Sequence, residues 1–197
     1  MKNNTLTISA KLKIIVALIL VPGVRGSGLH AQGIYKVDPS SKMVIEGTST
    51  LHDWTSTITQ VQGQARINFD NNKIEGLGSL NMIIPVESIQ SDHSLMNSKT
   101  YEALKKDQFP VIKFDLQKIE KLDAGKVDAA GQLTIAGVTQ DVNLEVSYKQ
   151  LPGNKVMFSG EKSIKMSDFR ITPPTAFMGS IKTGDTIMVK FETVFEH

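Results

Sequence analysis

The chain has 197 residues, with 22 basic and 20 acidic side chains and no cysteine. This length suits one domain, and the absence of cysteine excludes disulfide bonds, zinc–thiolate sites and thiol catalysis. The nearly balanced charge leaves no basic surface of the kind that binds nucleic acid.

Residues 1–31 have the pattern of a secretory signal peptide. Lys2, Lys11 and Lys13 precede the apolar run 14–21, and Ala31 offers a small residue at a cut. Such a short run has signal-peptide length, whereas a membrane-spanning helix needs about 20 apolar residues, which disfavours an uncleaved anchor. We expect export and a mature domain over residues 32–197. Cleavage removes four basic residues and leaves 18 against 20 acidic ones.

The mature part alternates apolar and polar residues with a period of two, which is typical of β-strands with one buried face. The clearest run is 141–148, where Val142, Leu144 and Val146 alternate with polar residues. The pattern predicts strands within 34–38, 42–49, 54–60, 62–70, 73–86, 111–120, 126–136, 139–149, 155–166 and 185–195. Some of these runs are expected to merge or to be extended loop, which gives about eight strands. No strand–helix–strand alternation occurs, so an all-β antiparallel domain is expected.

Turn-forming residues separate these runs. They occur at 70–72, 123–125, 136–137, 152–154 and 183–185. Residues 97–106 instead predict one short helix, with Asn97 or Ser98 as its N-cap. Two prolines within 171–179 exclude a central strand there.

Period-two alternation fits a β-sandwich and a closed antiparallel barrel equally well. A barrel of about eight strands has an interior that is either packed or able to hold one small ligand. The inward rows are rich in Ile, Val, Leu and Phe, so a cavity would suit an acyl or isoprenoid chain. The pattern alone leaves a solid core equally open.

The chemistry-bearing residues meet no reaction template. His52 and His93 each have an acidic neighbour, but adjacent side chains on a strand point to opposite faces and do not converge on a metal. No Gly-x-Ser-x-Gly turn, phosphate-binding loop or dinucleotide pattern is present. We therefore expect no catalysis, metal or cofactor. The alternative is an enzyme that uses His52, Asp53 and His93 for acid–base chemistry.

The segment 47–54 holds the only tryptophan of the chain beside a histidine. Trp54 is placed to close one end of a cavity while His52 or Asp53 meets a polar head group. The competing interpretation is a buried corner in which Trp54 packs and its polar neighbours hydrogen-bond a turn.

The chain resembles the YceI-like family over about residues 35–196. The resemblance rests on five segments in the family's order: His52-Asp53-Trp54, Glu87-Ser88-Ile89, the Phe-Pro-x-Ile-x-Phe run 109–114, the strand–turn–strand 131–144, and 167–171. Two positions depart from it. The segment 91–96 lacks an arginine that the family often has, and Arg170 stands where the family has glycine. Both positions are expected near a cavity mouth.

The resemblance implies an antiparallel, lipocalin-like β-barrel of about eight strands with one short helix, whose apolar interior holds a long isoprenoid or related lipid. It further implies lipid binding, transport or storage in the periplasm or outside the cell, and an association with stress responses. A packed interaction barrel without a cavity is the alternative. Contact with membranes would be peripheral or absent, and a homodimer is left open.

The predicted ligand contacts are apolar side chains of the inward rows and of a loop, 177–178, expected to gate the mouth. They are Trp54, Phe69, Phe114, Leu133, Ile135, Leu144, Val146, Phe158, Phe169, Phe177, Met178, Val189 and Phe191. The predicted head-group contacts are His52, Asp53, His93 and Arg170.

Overall fold

The computed structural model describes residues 33–70 and 73–197. The predicted signal peptide and the turn residues Asn71 and Asn72 lie outside the described residues. Within the part that is described, no helix has the length and apolar character needed to span a bilayer.

Twelve strands and one α-helix make up the described chain. The strands are β1 (Gly33–Val37), β2 (Lys42–Ser49), β3 (Trp54–Ile58), β4 (Gln62–Asp70), β5 (Lys73–Pro85), β6 (Ile89–Gln90), β7 (Val111–Asp123), β8 (Lys126–Ile135), β9 (Val138–Leu151), β10 (Lys155–Lys165), β11 (Thr175–Ala176) and β12 (Ile181–Glu196). The helix α1 spans Ser94–Ala103, and single 3-10 turns occupy Val86–Ser88, Met166–Phe169 and Phe177–Gly179.

Eight of these strands close into an antiparallel barrel, as predicted. The ring runs β1-β4-β5-β7-β8-β9-β10-β12 and is closed by pairing of β12 with β1. Strand β12 also pairs with β2, which is followed across the sheet by β3 and β6. The sandwich alternative is therefore excluded by the closing pair.

The period-two pattern places one face of each strand inside the barrel. In β9, Val142, Leu144 and Val146 are half-buried, while Asn143 and Glu145 are exposed. The turn that precedes this strand, Ala136-Gly137, has positive φ at both residues, as a tight two-residue hairpin requires.

One end of the barrel is filled by its own side chains. Tyr35, Ile67, Val156, Phe158 and Phe195 belong to one buried cluster there, with the Phe158 and Phe195 rings edge to face at 5.8 Å. We call this cluster the closed end. Its packing closes the barrel at this end.

A buried ion pair holds the link between β1 and β2 at the closed end. Asp38 is 6 % exposed and pairs with Lys155, whose ammonium also lies 3.0 Å from Glu196. The backbone N–H of Ser40 donates to Asp38 Oδ1 at 2.7 Å. The bonds from Lys155 and Ser40 hold the pKa of the Asp38 carboxyl well below its usual range.

This depressed pKa makes stability sensitive to acid. Because folding favours the ionised carboxylate, its contribution is complete above the unfolded pKa, about 4, and is lost as pH falls further through the folded pKa. We expect Asp38→Asn to lower the free energy of unfolding at pH 7 and to flatten its decline below pH 4. Urea unfolding at several pH values measures this. The exposed Asp107→Asn serves as control, and an equally steep decline in both variants would contradict the assignment.

Two details of the sequence prediction were wrong. Residues 183–185 are not a turn between strands but a register shift inside β12, between Thr183 and Ile187. The helix begins at Ser94 rather than Asn97, and neither Asn97 nor Ser98 caps it. Asn97 Oδ1 instead accepts hydrogen bonds from the Ser91 N–H at 2.7 Å and the Ser91 hydroxyl at 2.8 Å, so it fixes the loop before the helix.

Candidate functional site

A cavity of about 590 Å³ occupies the barrel between the closed end and the open end. Its wall consists mainly of Ile, Leu, Val, Met and Phe side chains from nine strands, β2, β3, β5, β6, β7, β8, β9, β10 and β12. This volume lies in the range of small-molecule sites, which are mostly apolar with few polar groups. The interior is therefore not solid, which contradicts the packed core expected of the alternative without a cavity.

Glycines in the wall keep the lumen open. Gly160 of β10 faces Phe191 of β12, and a Cβ added there would lie 2.9 Å from the ring. A Cβ at Gly131 of β8 would lie 2.5 Å from the Phe114 ring. Each aromatic ring therefore lies against the backbone of a neighbouring strand instead of projecting across the barrel.

Trp54 follows the same arrangement near the open end. It pairs with Gly47 across β2 and β3, and its ring covers that glycine. The indole Nε1 donates a hydrogen bond to the Thr48 carbonyl at 3.0 Å, which fixes the ring in the wall. Both interpretations of Trp54 therefore hold in part, since its ring packs on Gly47 with its N–H bonded to the backbone of β2, and the same residue lines the cavity.

The mouth of the cavity is surrounded by exposed apolar side chains. Leu51 is 65 % exposed, Leu95 53 % and Phe177 70 %, and all three line the cavity. The loop of Leu51 is tied to the start of β12 by the Thr50 N–H, which donates to the Lys182 carbonyl at 3.0 Å. We call Leu51, Leu95 and Phe177 the apolar rim.

One face of α1 lines the mouth. Met96, Lys99, Thr100 and Ala103 contact the cavity and are spaced as neighbours on a helix. The helix is held against β6 by the Tyr101 hydroxyl, which donates to the Glu87 carbonyl at 2.9 Å and the Ile89 carbonyl at 3.1 Å. The helix thus forms one wall of the entrance.

The structure places eleven of the thirteen predicted contacts at the cavity. They are Trp54, Phe114, Leu133, Ile135, Leu144, Val146, Phe158, Phe169, Phe177, Val189 and Phe191. Phe69 lies elsewhere, with its ring tilted against Tyr35 at 5.7 Å in the closed end. Met178 is fully exposed beyond the mouth and does not line the cavity.

Of the predicted head-group contacts, His52 and His93 line the mouth, whereas Asp53 and Arg170 do not. His52 Nδ1 lies 2.6 Å from the Asp53 carbonyl oxygen, to which it donates. Arg170 is exposed and has φ +56° after the 3-10 turn Met166–Phe169. Glycine adopts this left-handed conformation most easily, which explains why glycine stands there in the family pattern.

Sequence reasoning missed the polar side chains that line the cavity wall. Lys162 of β10 lines the cavity. Its ammonium donates a hydrogen bond to the Asn143 carbonyl of β9 at 2.8 Å. This bond lies beyond Ser147 and Ser159, the last residues that pair between β9 and β10. Thr193 of β12 also lines the cavity and is buried. The alternation places Lys162 and Thr193 in inward rows, so the sequence could have identified them. They were missed because most residues of those rows are apolar.

No three His, Asp or Glu side chains of residues 33–70 and 73–197 come together in a way that could hold a metal ion. His52, Asp53 and His93 are all exposed. The described part of the cavity thus offers apolar contact and a few hydrogen bonds.

Comparison with known proteins gives one consistent group. The family model of the YceI-like domain matches residues 35–195. Protein YceI of Salmonella newport (strain SL254) is 26 % identical over 152 residues, which are 74 % of this chain and 73 % of that protein.

Solved structures share the fold. BcnA of Burkholderia cenocepacia superposes with a TM-score of 0.67 at 22 % identity, covering 80 % of this chain and 98 % of that one. A polyisoprenoid binding domain from Saccharophagus degradans, implicated in plant cell wall breakdown, gives 0.64 at 16 % identity, covering 82 % and 97 %. The YceI protein of Campylobacter jejuni gives 0.58 at 25 % identity, covering 72 % and 84 %.

Proposed function

The chain belongs to the YceI-like family, and we propose that it binds a long apolar lipid, an isoprenoid or acyl chain, inside its barrel without catalysing a reaction. The observation that carries this proposal is the apolar cavity of about 590 Å³ with its apolar rim. A polyisoprenoid binding domain with the same fold supports the ligand class. Burial of apolar surface drives such binding by roughly 25 cal/mol per Å² before ordering costs.

We further propose that residues 1–31 direct export, so that residues 32–197 bind lipid in the periplasm or outside the cell as a carrier or store. The basic start, the short apolar run and Ala31 support this assignment. The YceI-like family match is consistent with it.

Mass spectrometry tests both proposals on one preparation. The full-length chain is expressed with its leader and purified from the exported fraction, and its organic extract and intact mass are recorded. We expect one isoprenoid or acyl species per protein and a chain that begins at Gln32. An extract without lipid, again after incubation with membranes of the host, would contradict the lipid proposal. Retention of the chain in the cytoplasmic fraction with its leader intact would contradict the export proposal.

A substitution that narrows the lumen provides a second test of lipid binding inside the barrel. We expect Gly160→Val to displace the Phe191 ring from the wall into the cavity, because even a Cβ would lie 2.9 Å from that ring. A ring that occupies part of the lumen must move again before lipid can enter, so lipid uptake should weaken roughly tenfold, about 1.4 kcal/mol of binding free energy. Titration with a radiolabelled C20 isoprenoid measures the loss. Ser163→Val, on the exposed face of the same strand, is the control, and equal uptake by both variants would contradict binding of lipid beside Gly160 and Phe191.

A further inference from the structure

A short β-hairpin beside the mouth ends in two bulky apolar residues. Strand β11 pairs with the first residues of β12, and the turn 177–180 joins the two strands. Phe177 lines the mouth from the tip of this turn, whereas Met178 is fully exposed and does not line the cavity. We call residues 175–182 the mouth hairpin. The Met178 side chain at its tip belongs neither to the core nor to the proposed binding site.

The backbone at the tip is unfavourable for these residue types. Phe177 and Met178 have φ values of 49° and 56°, which glycine and asparagine adopt far more readily than bulky apolar residues do. Residues held in such conformations cost free energy and cluster at functional sites. The cost at this tip holds two apolar side chains in solvent instead of burying them. Folding alone therefore does not account for Phe and Met at these positions.

Hydrogen bonds hold the mouth hairpin in its projecting position. The Ser180 N–H donates to the Phe177 carbonyl at 3.1 Å across the turn. The Thr50 hydroxyl donates to the Ser180 carbonyl at 3.3 Å and accepts a bond from the Lys182 N–H at 3.1 Å. These bonds connect the hairpin to the loop that carries Leu51 of the apolar rim. The apolar tip is therefore presented on a fixed support next to the opening of the cavity.

The apolar surface around the mouth suits a lipid surface better than a second protein. Exposed apolar patches mark sites of contact with proteins or membranes. At roughly 150 Å² for each side chain, the apolar rim and Met178 together expose about 600 Å², which is less than the ~800 Å² per partner of a stable protein interface. The side chains also project from separate loops and a helix. Apolar side chains presented in this way can enter the boundary between lipid headgroups and acyl chains.

The charge behind the tip also fits a phospholipid surface. Lys182 pairs with Thr175, two residues before Phe177, which is roughly 7 Å along the strand. Ile181 and Thr183 on either side line the cavity, so Lys182 lies on the outer face, where it is exposed. Apolar groups at an interface insert about 5–10 Å, which brings the Lys182 ammonium to the level of the lipid phosphates.

We propose that the mouth hairpin inserts Phe177 and Met178 into the surface of a phospholipid bilayer. The cavity then opens directly onto the membrane that supplies its ligand, and the lipid does not have to cross water. Asp53 and Asp92 are exposed beside the other two residues of the apolar rim, so the hairpin is the part that inserts while the rest of the rim stays at the surface. This docking rests on the proposed lipid-binding function.

Energy transfer from Trp54 to a dansyl-labelled lipid measures the docking. Trp54 is the only tryptophan and lies in the wall near the mouth. The exported chain, freed of lipid, is titrated with vesicles of phosphatidylcholine and phosphatidylglycerol. We expect Met178→Asn to weaken vesicle binding roughly tenfold, because one inserted apolar side chain is lost. Asparagine adopts the left-handed conformation readily, so this variant should fold at least as well as the unmodified chain.

Control variants separate docking from binding inside the barrel. Ile34→Thr removes an exposed apolar side chain of β1, beside Tyr35 of the closed end, and should leave vesicle binding unchanged. Lys182→Gln should weaken binding to the mixed vesicles more than binding to phosphatidylcholine alone. Met178→Asn should still take up the radiolabelled C20 isoprenoid added from ethanol, because Met178 does not line the cavity.

The outcomes distinguish the docking from the proposed function. Equal vesicle binding by Met178→Asn and Ile34→Thr, or no vesicle binding by the unmodified chain, would overturn the docking. A dimer of the unmodified chain in sedimentation that Met178→Asn dissociates would also overturn it and would assign the tip to a second copy. Failure of the unmodified chain to take up the C20 isoprenoid from ethanol would instead overturn the proposed function, since vesicle binding is measured separately from uptake.

Discussion

Replacing Phe114 by aspartate is expected to abolish lipid uptake while the barrel still folds. Phe114 lines the middle of the cavity from β7, and its ring lies against Gly131 of β8. A carboxylate there must either stay hydrated, which brings water into the lumen, or lose its hydration at a large cost. Either outcome removes the apolar contact that drives binding, so we expect at least a hundredfold loss, about 2.7 kcal/mol.

The matched control places the same new charge on the opposite face of the same strand. Gln117 is exposed on β7, so Gln117→Asp adds one carboxylate outside the barrel. Lipid per protein is measured after purification, together with the circular dichroism spectrum of each variant. Uptake by folded Phe114→Asp equal to that of Gln117→Asp would show that the lipid does not pass Phe114.

The strands were predictable because their determinants are local. Alternation in 141–148 assigns an inside and an outside to β9 whatever strand lies next to it, and Ala136-Gly137 forms its hairpin through its own backbone preferences. Closure was not predictable in this way. It depends on the register of β12 with β1, Lys36 with Glu196, two residues at opposite ends of the described chain.

The cavity could be predicted only in part, because a period-two row does not show how deep a side chain lies. Phe69 and Phe191 both alternate with polar neighbours, yet one fills the closed end and the other lies against Gly160 in the cavity wall. What separates them is the residue on the neighbouring strand, which is set by register. Aromatic residues paired with glycine across strands thus mark the open part of the barrel once the register is known.

The positions of the two residues in the loop 177–178 could not be predicted for a different reason. Phe177 and Met178 both have positive φ, 49° and 56°, which is rare for residues with bulky side chains. This conformation turns Phe177 into the apolar rim and Met178 away from it. No local rule predicts two consecutive left-handed residues here, so both were assigned the same role at the mouth.

Replacing phenylalanine by alanine should change the free energy of unfolding by different amounts at the two ends of the barrel. Phe195 is 1 % exposed in the closed end, so Phe195→Ala leaves a cavity among Phe158 and its neighbours and should cost about 3–5 kcal/mol of unfolding free energy. Phe177 is 70 % exposed, and Phe177→Ala should change stability by no more than about 0.5 kcal/mol. Urea unfolding of both lipid-free variants measures the difference.

The same two variants test whether the closed end stabilises the fold while the apolar rim contacts the lipid. Bound lipid raises apparent stability, so lipid removal before unfolding is required for a fair comparison. We expect Phe177→Ala to release the radiolabelled C20 isoprenoid faster, because the rim loses one apolar contact at the point of exit, although its lipid-free stability is unchanged. Equal destabilisation by the two substitutions would mean that the rim is part of the core. A large cost at Phe195 with unchanged release at Phe177 would instead place the exit elsewhere, and the gap between β9 and β10 that Lys162 bridges would be the next position to test.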